Sequence, residues 1–332
     1  MTHFILRRLL HMIPTLILIS IVSFAVIQAP PGDMLTSRIA ELKQQGEGGA
    51  ATIQAEIEAL RARYGLDDPL YVQYARWIKN IVLHGDFGKS FTYDIDVIVL
   101  LKERLGLTLL LTVTTLVFTW LIAIPIGIYS ATRPYSLGDY SFTLLGFIGL
   151  ATPQFLVALI ILFIQVRVFH VESIGGLFSP QFVSEPWSPA RLLDLLRHIW
   201  VPVLVIGLGG TATVIRIMRS NLLDVLGQQH IQTGRAKGLH ERKVVWKYGV
   251  RIAINPLVSR LGTQLPHLLS GAVITGIVLA LPTAGPIFLA ALKSQDMFLA
   301  GAFLLLSATF LLVGNLLADI ALAWLDPRIR YD

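Results

Sequence analysis

Six stretches of this 332-residue chain contain no Asp, Glu, Lys or Arg: 9–32, 105–132, 140–166, 198–215, 261–292 and 297–318. A helix rises 1.5 Å per residue, so crossing a bilayer takes about 20 apolar residues. All six runs are long enough, with 198–215 near the lower limit. Hydrocarbon offers no partners to backbone N–H and C=O groups, and a helix satisfies them internally. Only 14% of the residues are charged, against about 25% in an average soluble domain. The sequence therefore predicts an all-α polytopic membrane protein with six transmembrane helices. The 261–292 run is too long for one crossing and contains Pro282 and Pro286. It predicts a helix followed by an apolar re-entrant or surface loop. The first run follows Arg7 and Arg8 but exceeds the roughly 7–15 residues of a signal-peptide core, so an uncleaved span is expected. Cysteine is absent, which excludes disulfides, thiolate metal sites and Cys nucleophiles.

Charge sets the expected orientation, because short loops rich in Lys and Arg stay in the cytoplasm. The segment from Arg216 to Arg251 holds eight basic residues against Asp224 and Glu241. Its surplus of six equals the net charge of the whole chain, +6. Segment 33–104 has nine basic and eleven acidic residues, and 167–197 has three of each. Both termini and the 219–251 loop are thus expected in the cytoplasm. The chain divides into 1–32 (N-terminal segment and first span), 33–104 (an extracytoplasmic helical subdomain), 105–325 (a transmembrane core) and 326–332 (a cytoplasmic tail). Spans within the core are expected at about 105–132, 140–166, 198–218, 256–281 and 297–322. In the subdomain, "QQGEGGAAT" (44–52) reads as a flexible connector. Ile53, Ile57, Leu60 and Tyr64 then recur at helical spacing. Pro69 opens a second helix with Leu70, Tyr74, Trp77, Ile78 and Ile81 on its apolar side. That side either packs on its own scaffold or meets an extracytoplasmic partner.

Two nucleotide-like strings are decoys. "GDFGKS" (85–90) ends like a phosphate loop, but the glycine required five residues before Gly88 is Leu83. "GLGGTA" (207–212) lies inside an apolar run without a βαβ context, so its small residues are expected to allow close helix packing.

The 216–251 segment carries more than a topology signal needs. Gly234 and Gly238 punctuate it, and Leu239, Val244, Val245 and Tyr248 separate its basic residues. Residues 222–233 read as an amphipathic stretch, "GRAKGL" as a turn and 241–250 as a short helix. Two short helices about a glycine turn make a knob that fits a partner's cleft. The competing readings are a topology signal, a patch on anionic lipid and a nucleic-acid patch, the last lacking stacking aromatics and a soluble domain.

The loop resembles that of the inner-membrane permease subunits of binding-protein-dependent ABC importers, specifically the oligopeptide/dipeptide branch. "HIQTGRAKGL" (230–239) is similar to that branch's Y-I-x-T-A-R-A-K-G-L, with Gly234 in place of an alanine. "FILRRLLHMIPTL" (4–16), "PPGD" (30–33), "YGLDDPLYVQYARWIKNIVLHGDFGKSF" (64–91), "MRSNLLDVLGQQHI" (218–231) and "DPRIR" (326–330) also match family stretches. One departure is "TGIVLALPTAG" (275–285), where Gly276 replaces the usual acidic residue and Thr283 the first glycine. The resemblance implies an ABC type I importer permease fold, with half of a translocation pathway for peptides or peptide-like solutes. It implies a homologous second permease, two ABC ATPase subunits and an extracytoplasmic solute-binding protein as partners, in a bacterial plasma (inner) membrane. ATP and Mg would be bound by the ATPases, leaving this chain neither an enzyme nor a cofactor protein and without a nucleic-acid partner. Gln232, Thr233, Gly234, Arg235, Ala236, Lys237, Gly238 and Leu239 would form the ATPase-coupling element. Nickel, opines, glutathione and antibiotic peptides use similar permeases. The alternative, a self-sufficient secondary transporter or channel, predicts inverted repeats and paired charges within the spans; the sequence shows neither.

Arg260, Gln264, His267 and Gly271 recur at spacings of 4, 3 and 4, on one face of the fifth span. Such a stripe avoids lipid. Arg260, Gln264 and His267 either line the translocation path, with Arg260 favouring an anionic group, or pair locally while Arg260 snorkels to the interface. If they line it, Arg260→Ala lowers uptake of anionic substrates by about fivefold more than uptake of neutral ones, since an ion pair in a watery path contributes ~1 kcal/mol. Equal losses in the transport assay remove the charge-selection reading.

Overall fold

The computed structural model describes residues 2–28, 68–170, 175–264 and 273–325. In chain order the helices are α1 (Thr2–Gln28), α2 (Leu70–His84), α3 (Val97–Thr132), α4 (Leu137–Ala151), α5 (Gln154–Arg167), α6 (Pro189–His198), α7 (Trp200–Leu226) and α8 (Gln229–Ala236). They continue with α9 (Glu241–Lys243), a π-helical turn (Val244–Val250), α10 (Arg251–Ala253), α11 (Asn255–Ser259), α12 (Val273–Val278), α13 (Ala284–Lys293) and α14 (Met297–Leu325). Among the described residues the only strand-like feature is an isolated bridge between Lys89 and Asp96.

Among the described residues, four helices are long and apolar enough to cross a membrane: α1 over Ile5–Val26, α3, α7 and α14. Three expected boundaries change. Helix α3 begins at Val97, so residues 97–104 already form its first two turns. Run 140–166 is not one straight helix: α4 and α5 meet at a 99° bend. Pro153 is the cause, because a proline pushes the preceding residue out of the α region, and Thr152 is extended (φ −88°, ψ 123°). Beyond Pro282 the chain forms the ten-residue helix α13 where a re-entrant or surface loop was expected; proline is tolerated in a first turn, and Pro286 is the third residue. Helix α13 is too short to cross. Within 256–281, α11 and α12 are helical, while residues 265–272 lie outside the described residues. The connector at 44–52, the helix expected over 53–64, "PPGD" and "DPRIR" also lie outside them.

The chain divides into two units, one of residues 6–106 and 284–309, the other of 1–5, 107–283 and 310–332. In the first, the aromatic stripe of α2 packs on its own scaffold. Tyr74 and Trp77 meet Phe24 of α1 at centroid distances of 5.6 and 5.9 Å, and the Tyr74 and Ser20 hydroxyls share a 2.7 Å hydrogen bond. The decoy "GDFGKS" is the turn that follows α2. Gly88 abuts Phe298 so closely that a Cβ would fall 2.7 Å from its ring, and Lys89 pairs with Asp94 at 2.5 Å. The turn is held by Asp296, a fully buried residue just before α14. Its carboxylate accepts from the Ser90 hydroxyl (2.6 Å) and from the N–H groups of Phe91 (2.9 Å), Thr92 (3.2 Å) and Leu299 (3.1 Å). Beneath it Val97, Leu101, Ile287 and Leu299 form a core, and Phe288 stacks on Phe303 at 4.1 Å.

In the second unit α7 is the central post. It touches α4, α5, α6, α8, the π-helical turn, α10, α11 and α12, and 56% of its apolar window is buried against 11% for α1. Small residues let α3 approach: a Cβ at Gly207 would lie 3.1 Å from Phe118 and 3.3 Å from Thr119. A half-buried fork joins α4 to α7, where Arg219 donates from Nε and Nη2 to the two oxygens of the buried Asp139, both at 2.8 Å. The Tyr135 N–H adds a third donor at 2.9 Å. Helix α6 is anchored by Asp194, which accepts from the Ser179 amide and hydroxyl, each at 2.7 Å. Burial pushes this carboxyl up, but the Ser179 donors and the nearby His198 and Arg197 outweigh it, so it titrates below the usual carboxylate range.

Asp296→Ala would leave four donors, two of them buried, without an acceptor, at a cost of about 2–4 kcal/mol. The expected outcome is a thermal midpoint in detergent lower by several degrees, with Asp296→Asn falling less because an amide oxygen still accepts.

Candidate functional site

Helix α7 ends at Leu226, and after Gly227 and Gln228 the chain turns into α8. Every fourth or so side chain here points under the loop. Ile231, Val244, Val245 and Val250 are buried together with Met218, Leu222 and Val225 of α7, and Ala253 and Leu257 close the same cluster. Burying large aliphatic side chains stabilises by about 1.5–3 kcal/mol each, so the loop is fastened to α7 by its apolar residues. Its polar residues are left outside: Gln232, Thr233, Arg235, Ala236, Lys237 and Gly238 are exposed, while Gly234 and Leu239 are half-buried.

The turn lies within the expected "GRAKGL" but occupies only its second half. Gly234, Arg235 and Ala236 belong to the last turn of α8, and the chain reverses at Lys237–Gly238. Gly238 has φ +73°. Its N–H donates to Arg235 O (2.9 Å), and the Leu239 N–H donates back to Gly234 O (3.2 Å). This pair of bonds is a Schellman cap, which places glycine at the left-handed position and a hydrophobic residue after it. Nothing lies within 4 Å of a Cβ built on Gly238, so conformation and not space selects glycine there. At Gly234 a Cβ would make ordinary contacts of 3.7 Å with Val244 and 3.8 Å with Leu239.

The basic residues do not all face outward as free cations. Arg235 reaches across the turn to Glu241, donating from Nη2 at 2.6 Å and from Nε at 3.1 Å. The Arg235 hydrogen bond holds the Glu241 carboxyl below its usual range against a smaller opposing effect of burial, and Glu241 raises Arg235 in turn. Because the carboxyl is depressed, the pair is intact at neutral pH and is lost only as pH falls below the ordinary carboxylate range. His240 caps α9, its Nδ1 accepting from the Arg242 N–H at 3.2 Å. The exposed set is then Lys237, Arg242, Lys243 and Lys247, flanked by Trp246 and Tyr248. The exposed Trp246 and the π-helical turn beneath it have no counterpart in the sequence expectations. Trp246 follows two buried valines in an unbroken apolar string, so helical periodicity alone does not mark it as exposed.

At the second candidate site, Arg260 is exposed at the C-terminus of α11 and Gln264 lies one turn on, its N–H donating to Arg260 O at 3.1 Å. Gln264 Oε1 is buried without a hydrogen-bond partner among the described residues. His267 and Gly271 lie outside the described residues. Between the two polar residues, Gly262 packs against Asn315 of α14; a Cβ there would fall 2.6 Å from the Asn315 Cα.

Residues 123–331 match the family described as binding-protein-dependent transport system inner membrane component, and residues 1–112 match its N-terminal counterpart. An oligopeptide transport system permease protein of Bacillus subtilis (strain 168) is 37% identical over 332 residues, covering 100% of both chains. A dipeptide transport system permease protein of Escherichia coli (strain K12) is 31% identical over 347 residues, covering 100% of this chain and 99% of the relative. An oligopeptide transport system permease protein of Mycobacterium tuberculosis is 32% identical over 335 residues, covering 99% of each. Matched from end to end and rich in apolar helices, the chain belongs to the binding-protein-dependent transport system inner membrane components, a family of multi-pass permeases.

Proposed function

We propose that this chain is one permease half of an ATP-driven importer for peptides or peptide-like solutes. It pairs with a homologous permease and receives cargo from an extracytoplasmic binding protein. Two ABC ATPase subunits, which hold ATP and Mg, drive it. Full-length similarity to proteins named as oligopeptide and dipeptide permeases supports the cargo class. The charge distribution supports placing both termini and the basic loop in the cytoplasm. The secondary-transporter or channel alternative is set aside, since the family's own description makes transport dependent on a binding protein.

The observation that carries the coupling role is the Schellman-capped, basic loop packed onto α7. An ATPase surface with acidic residues would meet Lys237, Arg242, Lys243 and Lys247 through charge-assisted contacts. Movement of α8 is then transmitted through Ile231 and the Val244–Val245 pair to Met218 and Leu222. Because these side chains are close-packed, displacement passes to α7 with little slack. From α7 it reaches α4 through the Asp139–Arg219 fork.

Two substitutions four residues apart test this. Gly238→Val forces a β-branched residue to φ +73° at a cost of about 1–2 kcal/mol or more; ATP-dependent uptake in vesicles falls at least fivefold while the protein remains in the membrane. Gly234→Ala adds a methyl where there is room and favours the helix by about 0.5–1 kcal/mol, so uptake stays near wild type. Uptake unchanged by Gly238→Val refutes the coupling role.

A further inference from the structure

Helix α6 presents an apolar face that no other described residue of this chain covers. Leu192, Leu193 and Leu196 are each 50–60% exposed, although Asp194 and Leu195 on the opposite side are buried. Trp187 precedes the helix and Trp200 opens α7 directly after it, both exposed by about half or more. Leucines on one face of a short helix at the end of a spanning segment, flanked by tryptophans, are the features of a helix lying in the bilayer interface.

Beside this helix a cavity of about 650 Å³ opens between the end of α5 and the start of α7. That is within the roughly 300–1,000 Å³ range of ligand pockets. Its lining is graded along the spans. Gln165, Arg197 and His198 lie at the end nearest the exposed tryptophans. Ile161 on α5 and Leu204 on α7 lie about one helical turn, 5.4 Å, further into the apolar spans. His198 is held in place by its Nδ1, 2.8 Å from the Asp194 carbonyl oxygen. The Asp194 carboxylate accepts both Ser179 donors and lies 3.6 Å from His198 Nδ1, and among the described residues no ion pair is formed by Arg197. A site with cationic and hydrogen-bonding groups at its watery end and hydrocarbon walls beyond matches an amphiphile with an acidic head. We infer that this cavity binds an anionic phospholipid, its phosphate and acidic headgroup at Arg197, His198 and Gln165 and an acyl chain along Ile161 and Leu204. The site is independent of the cargo and of the coupling loop.

The test uses the assembled transporter purified in detergent, with bound lipid counted by native mass spectrometry after exposure to phosphatidylglycerol or phosphatidylcholine. Wild type should retain phosphatidylglycerol over phosphatidylcholine. Arg197→Gln should weaken that retention about fivefold, the factor one surface cation contributes towards acidic lipid, and Arg197→Lys should preserve it. Leu204→Trp fills the cavity with Arg197 intact and should expel the lipid, which keeps the test decisive if the Arg197 variant does not fold. Equal retention of the two lipids, or phosphatidylglycerol retained by Leu204→Trp, overturns the proposal. Displacement of the lipid by millimolar inorganic phosphate also overturns it in favour of a free-anion site. Efficient cross-linking of a Phe169→Cys variant to the second permease would show that protein, not lipid, fills the cavity, and would overturn it too.

Discussion

The fork between Asp139 and Arg219 is the interaction on which the transmembrane unit depends. Both side chains lie on apolar helices, and Asp139 is almost fully buried. An isolated charge in such a place is costly, and removing one member of a buried pair costs about 3–5 kcal/mol because the other is left uncompensated. The bidentate geometry and the Tyr135 amide satisfy the carboxylate, so the pair fixes the start of α4 against α7 in one register. Everything else in the unit is referred to α7. The small residues of 207–212 admit α3, and the apolar side of the basic loop closes over the far end.

Buried carboxylates recur as organising points. Asp296 gathers four donors from a turn and a helix start, Asp194 two from Ser179, and Asp139 three from Arg219 and Tyr135. The physical reason is common to all three. An ionised oxygen makes stronger hydrogen bonds than a neutral one, and a few such residues can pin loops that have little apolar surface to bury. In a chain with 14% charged residues, these few carboxylates are placed where irregular backbone must be held.

Long runs without charged residues made the spans legible, and the charge balance marked the loop as special. The α2 stripe was also readable, because Trp77 and Tyr74 occupy one face. What escaped was three-dimensional pairing. Nothing in "SQDMF" announces that Asp296 would collect Ser90, more than two hundred residues away. The bend at Thr152–Pro153 was written in the sequence, but the unbroken apolar run around it read as one crossing. The turn was assigned to "GRAKGL" without choosing between its two glycines. "AKGL" has the glycine-then-hydrophobic pattern of a Schellman cap, while Gly234 fits the helix and merely lacks a methyl group. The pairing of Arg235 with Glu241 went unforeseen, because Glu241 lies beyond the reversal.

The seven residues Val244–Val250 wind with i→i+5 bonds, one residue more per loop of chain than an α-helix. Each residue of an α-helix advances the azimuth by about 100°, so this segment resets the phase of everything that follows it. Arg251 through Ser259 therefore meet α7 along a different meridian from the one a regular helix begun at Glu241 would present. Single-residue insertions and deletions in this stretch would behave like turning a key by a quarter, leaving every local contact type available yet rotating the entry of the fifth span.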